Sequence, residues 1–247
     1  MAKRSRQAKR VQRVRWLTLG GTGALVAVVA AIGLYYTFDV TSGEYRDGEH
    51  YFSLAAGAGD PEEPIVVTEF FSYGCVHCRN FDPQINAWMA ELPEGMELVR
   101  SPVAFNAIWR MYAKMYYMAE ELDAMDQIHD RLFSDIHDRN RTITTEEQIR
   151  KFFVGVGVPE DRVARSMRSP AVARKVNRAE ALSRAVGVRS VPTLMVGTQY
   201  LIPVGDVGRV QSLAIADHLI AKVMSARETP EPQSADTEAV SGADTTE

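Results

Sequence analysis

Cys75 and Cys78 are the two cysteines of this 247-residue chain, and only Val76 and His77 separate them. Paired sulfur at this spacing serves three chemistries: a structural bridge, a metal site or a redox centre. A bridge across a two-residue gap restricts the unfolded chain little, so it stabilises weakly. Structural zinc takes four ligands. Cys75, His77 and Cys78 offer three, and His50, His129, His137 and His218 are scattered along the chain. A redox centre is the strongest reading of the pair, and a Cys/His metal-binding module is the alternative from another class.

The surrounding residues fit redox work. Ile65–Phe71, "IVVTEFF", reads as a buried strand, and the residues after Cys75 read as a helix. Cys75 then sits at a helix start, where unpaired backbone N–H groups and the helix dipole favour a thiolate. The dipole supplies about 0.3–2 kcal/mol. A shift of five pKa units needs roughly 7 kcal/mol. Direct hydrogen bonds and a protonated His77 must provide the remainder of any large shift. Cys78, one turn further on, is the candidate resolving thiol. Glu69 interrupts the apolar run. It is either a buried acid with a raised pKa or a polar partner, placed to exchange protons with Cys78, or a strand-end residue that reaches solvent. Pro192 in "RSVPTLMVG" opens a further strand, where its missing N–H does least harm. The isomer of the Val191-Pro192 bond is left open by these residues alone.

These residues need a frame to hold them. Tyr45–Leu54 reads as a first strand and Glu97–Val103 as a third, with Pro83 kinking the helix after Cys75. A long helical stretch follows. Met111, Met115, Met118 and Leu122 mark one helix face, read as core in preference to an adaptable contact surface. Thr144 and Glu147 have the spacing of a capping box. Ser169-Pro170 opens a helix that Gly187 closes. Thr193–Val196 and Gln199–Ile202 flank a Gly197-Thr198 turn, and a last amphipathic helix covers about 207–226. The order is β-β-α-β, a helical block, then β-β-α. The fold class is α/β: a thioredoxin-like sheet with an all-helical insertion at about 106–186, inside a domain spanning 45–226.

The ends differ from this domain. Residues 1–15 carry seven basic residues and no acid, and no charged residue occurs from Trp16 to Phe38. As a helix those 23 positions span roughly 35 Å, enough to cross a bilayer core of about 30 Å. The reading is one N-terminal transmembrane anchor with residues 1–15 in the cytoplasm, a linker at 39–44 and an exported remainder. A cleaved leader is the alternative, although Val29-Ala30-Ala31 fits a cleavage site poorly. Residues 227–247 read as a disordered acidic tail. A net charge of −4 gives no reason to expect nucleic acid, and nothing in the chain asks for an oligomer, so a monomer is expected.

"EFFSYGCVHCRNF" followed far downstream by "GVRSVPTLMVG" resembles the DsbA family, periplasmic thiol:disulfide oxidoreductases of Gram-negative bacteria. "YRDGEHYFSL" and "YLIPVG" resemble that family's first and last strands. The resemblance implies Cys75 as nucleophile, Cys78 as its partner, His77 as the thiolate-stabilising residue and Glu69 as the buried acid beneath them. It implies a cis Val191-Pro192 bond facing the disulfide. Val191, Pro192 and Val76 are then the substrate-binding positions, with backbone pairing at Val191. No cofactor is expected beyond the Cys75–Cys78 disulfide itself. The implied partners are unfolded exported proteins, the inner membrane and a DsbB-like membrane quinone oxidoreductase. Val76 departs from the family's usual proline and adds one backbone donor near the thiolate. The anchor departs as well. A tethered reductase, for example in cytochrome maturation, is the enzymatic alternative.

Overall fold

The computed structural model describes residues 45–55 and 63–228. The basic segment 1–15, the apolar segment 16–38, the linker 39–44 and the tail from 229 onward lie outside the described residues. Among the described residues no helix is long and apolar enough to cross a membrane.

Five strands form one sheet: β1 (Phe52–Ser53), β2 (Ile65–Phe71), β3 (Met96–Pro102), β4 (Thr193–Val196) and β5 (Tyr200–Pro203). Their order is β1-β5-β4-β2-β3. Only β2 and β3 run parallel. β2 lies inside the sheet and is buried almost throughout, which accounts for its unbroken apolar run. Helix α1 (Val76–Met89) follows β2, and Pro83 lies within it.

Five helices connect β3 to β4: α2 (Ala107–Glu121), α3 (Met125–His137), α4 (Glu146–Gly155), α5 (Glu160–Met167) and α6 (Pro170–Ala185). Met115, Met118 and Leu122 are buried in their shared core, and Met111 packs against it. The methionine stripe is core, with the partly buried Met111 at its edge. Ser169 caps α6 through its side chain, and Pro170 opens it. Gly187 follows with φ 76°, a left-handed conformation. There the Val188 N–H reaches the Ser183 carbonyl and the Gly187 N–H reaches Arg184, closing the helix as a Schellman motif. The described residues end with the single turn α7 (Val204–Val207) and with α8 (Arg209–Glu228), which packs on β4, β5 and α1.

Four local expectations need correction. The first strand is two residues long, not ten. Asp47-Gly48 makes a turn in which Gly48 has φ 81° and the Asp47 carboxylate accepts the Ser53 N–H, so pairing begins only at Phe52. The capping box belongs to Thr145 and Gln148, one residue beyond the expected pair. The hairpin loop has three residues, because Val196 pairs with Tyr200. The last long helix starts at Arg209, after Gly208 at φ 89° separates it from α7.

Candidate active site

The chain leaves β2 at Phe71 and turns through Ser72, Tyr73 and Gly74. The Cys75 N–H donates to the Ser72 carbonyl, and the Gly74 N–H to the Ser72 hydroxyl. This turn delivers Cys75 to the N-cap of α1 in an extended conformation (φ −104°, ψ 115°). Gly74 permits a close approach, since a Cβ there would meet the Trp109 indole at 2.5 Å.

The Cys75 sulfur accepts the Cys78 N–H at 3.4 Å, the usual reach of an N-cap side chain toward the third helical residue. The Cys75 thiol also faces the Val191 carbonyl at 3.4 Å, and the Val191-Pro192 bond is cis. Both cysteines are free thiols. Their surroundings are unequal: Cys75 keeps 8% of its surface exposed and Cys78 none. The hydrogen bond from the Cys78 thiol lowers the Cys75 pKa most. Burial opposes it, and the backbone N–H groups of Cys78 and His77 add to it. The His77 charge is the smallest contributor, and the result is about 6. Burial pushes the Cys78 thiol far above its ordinary value, and its bond to Cys75 adds to that.

Hydrogen bonding therefore outweighs the imidazole charge at Cys75. His77 projects its ring outward and is exposed. The expected extra donor at Val76 is not used this way. The backbone groups that stabilise Cys75 belong to His77 and Cys78, the second and third helical residues, toward which an N-cap side chain points. Val76 contributes an exposed apolar side chain, 46% accessible, beside the sulfur.

Glu69 is 1% exposed and does not reach solvent. Burial raises its pKa to about 7, against the pull of Arg100. Arg100 stands directly opposite on β3, and its Nε donates to Glu69 at 3.0 Å. Its Nη2 donates to Asp82 Oδ1 at 3.0 Å. Asp82, on α1, also accepts from Asn86 and pairs with His129 Nε2 at 2.9 Å. Burial opposes its ionisation, but the bonds from His129, Arg100 and Asn86 keep its pKa below the usual carboxylate range.

Arg100, Asp82, His129 and Tyr73 are absent from the sequence-based site. Asp82 lies four residues after Cys78, on the same helix face, and this was the one available signal. Arg100 becomes visible only once the β2–β3 register is known. A cleft of about 760 Å³ opens between His77 and the cis-proline loop, lined by His77, Gln84, Val191, Pro192, Val204 and Val210 among others. Among the described residues the ligand atoms of Cys75, His77 and Cys78 do not converge as a metal set; Asp82, His129 and Asp130 are the group that does. Two of those three are already engaged by protein partners.

Known proteins are similar to this chain in sequence and fold. The family model described as a DSBA-like thioredoxin domain matches residues 66–214. The thiol:disulfide interchange protein DsbA of Pseudomonas aeruginosa is 30% identical over 205 residues, which cover 82% of this chain and 95% of that protein. The Azotobacter vinelandii protein of the same name is 31% identical over 164 residues, covering 66% of this chain and 77% of that one. The crystal structure of Pseudomonas aeruginosa DsbA superposes with a TM-score of 0.71 at 30% identity, covering 76% of this chain and 99% of that chain. With the cysteine pair on its helix start, the cis-proline loop across from it and a helical block inside the sheet, the chain belongs to the DsbA-like thioredoxin-domain family and is a thiol:disulfide oxidoreductase.

Proposed function

We propose that the chain donates a Cys75–Cys78 disulfide to unfolded exported proteins in the periplasm. The observation that carries this reading is the inequality of the two thiols: Cys75 lowered to about 6, Cys78 pushed far up. A substrate thiolate attacks Cys75 Sγ, the Cys75–Cys78 bond breaks, and Cys78 leaves and takes a proton. Glu69, at about 7, is a proton source suited to neutral pH. A second substrate thiolate then attacks the substrate sulfur of the mixed disulfide and expels Cys75 as a stabilised thiolate. Two electrons pass from the substrate dithiol to the enzyme, which ends as the dithiol. The chain's own disulfide is the only redox group this exchange needs.

Val191 and Pro192 border the sulfur, and the Val191 carbonyl is available to an extended peptide laid along the loop. Val76 offers apolar contact on the other side. His77 adds a smaller electrostatic contribution. Return to the disulfide needs a two-electron acceptor, and a DsbB-like membrane quinone oxidoreductase supplies that chemistry. The apolar segment 16–38 tethers the domain to the inner membrane in this reading.

Oxidised protein mixed with a reduced, unfolded two-cysteine peptide tests the proposal. The peptide is expected to gain its disulfide as the enzyme becomes a dithiol, and Cys75→Ser is expected to abolish transfer. Redox titration against glutathione sets the direction. A potential near that of thioredoxin, about −270 mV, would mean a reductase and overturn the donor role.

A further inference from the structure

The turn that presents Cys75 and the acid near Cys78 belong to different parts of the chain, and one side chain joins them. Tyr73, two residues before Cys75, is fully buried, and its hydroxyl meets His129 Nδ1 at 2.8 Å. Burial above all holds the Tyr73 pKa well above its ordinary value, so the hydroxyl keeps its hydrogen. The other ring nitrogen of His129, Nε2, meets Asp82 Oδ1 at 2.9 Å. A carboxylate only accepts, so Nε2 carries the hydrogen and donates. The same Asp82 oxygen is held by Arg100, which also binds Glu69. A continuous hydrogen-bonded line thus runs Tyr73–His129–Asp82–Arg100–Glu69, from the Cys75 turn to the buried carboxyl whose charge acts on Cys78.

His129 lies on α3 in the helical insertion, while every other member lies on the sheet, on α1 or on the turn between them. It is only 8% exposed, and both ring nitrogens have partners. The same helix grips Tyr73 at two further points. The Phe133 ring stands edge-on to it at 4.8 Å, and His137 Nε2 bonds the Tyr73 carbonyl at 2.8 Å. A buried polar group that lost one of these partners would leave the other unsatisfied, so the line is held as a unit.

We propose that His129 is a positioning residue for disulfide exchange: it fixes the Cys75 turn and the Asp82–Arg100–Glu69 cluster relative to one another, so that the helical insertion sets how oxidising the cysteine pair is. This rests on Cys75–Cys78 exchange being the reaction. His129 touches neither sulfur. It acts through Tyr73 on one side and Asp82 on the other.

The test uses the full chain with three substitutions. His129→Phe keeps a ring and loses both bonds, His129→Gln keeps a donor for Asp82, and Tyr73→Phe removes one oxygen. Each is titrated against glutathione, and Cys75 alkylation is followed across pH. His129→Phe is expected to shift the glutathione equilibrium about tenfold toward the disulfide, the equivalent of about 1.4 kcal/mol, and to move the alkylation profile to higher pH. His129→Gln recovers part of the loss. Tyr73→Phe shifts the equilibrium about threefold, and adding it to His129→Phe brings no further change, because the two share one bond. A lowered unfolding midpoint with wild-type potential and alkylation profile would make His129 merely structural and overturn the proposal. Should His129→Phe not fold, an unchanged potential in Tyr73→Phe overturns it equally. Wild-type protein unable to oxidise a reduced peptide sinks the donor reading instead, and the two failures are thereby separate.

Discussion

Cys75 and Cys78 differ by three positions in sequence and by a large step in chemistry. One accepts hydrogen bonds at a helix start, and the other is sealed beneath it. That difference predicts which redox form is the more stable. In the dithiol, Cys75 has a folded pKa of about 6 against an ordinary 9.0. A depressed folded pKa contributes stability that is complete above the unfolded value and is lost as pH falls through the folded one. The full contribution is about 4 kcal/mol above pH ~9, and about 1 kcal/mol of it remains near pH 7. The disulfide form has no such group. The reduced protein is therefore expected to show the higher urea midpoint, with the gap closing as pH falls from about 9 to about 6. A gap that stays constant over that window would show that the Cys75 thiolate is not what separates the two forms.

At the scale of elements, the site depends on a few junctions. α6 leads into the loop that carries Val191 and Pro192, so its C-terminal end matters to the catalytic face. Ser169→Ala removes the N-cap bond to Val172 and is expected to cost about 1 kcal/mol. Gly187→Ala places a Cβ at φ 76° and is expected to cost a similar amount, about 1 kcal/mol. The two should separate functionally. Only the Gly187 change sits next to the Val188–Val191 loop, so it should slow peptide oxidation, while Ser169→Ala leaves the rate at wild-type level. Denaturant titrations and initial rates on the same preparations check both. Equal rates in the two variants would show that the loop's position does not depend on the α6 terminus.

For the whole molecule, the described domain carries the chemistry, and the proposed anchoring by the apolar segment 16–38 is tested by where the full-length protein is found. Full-length protein is expected to remain with membranes through an alkaline wash, with its N-terminus intact. A chain lacking residues 1–38 is expected to be released while oxidising peptide at an unchanged rate. Recovery of soluble protein whose N-terminus lies beyond residue 31 would replace the anchor with a processed leader. The helical insertion is also more than a decoration at this scale, because α3 packs Phe133 and two histidines against the turn before Cys75.

Much of this was legible in the residues themselves. A single spaced cysteine pair, a buried β-branched strand and a downstream valine–proline determined the redox reading and the thioredoxin-like plan, because these are signals within short windows. Capping and turn chemistry placed most element ends to within a residue or two. Asp47-Gly48 was the exception, since a turn there outweighed an apparent strand. Tertiary structure alone decided which distant groups stand behind the cysteine pair. Arg100 faces Glu69 only through the β2–β3 register, and His129 reaches Asp82 and Tyr73 only because α3 packs on the active-site turn. Those partners are 31, 47 and 56 residues apart. No local pattern encodes a hydrogen bond across such distances; burial makes each polar group find a partner, and the fold determines which one it finds.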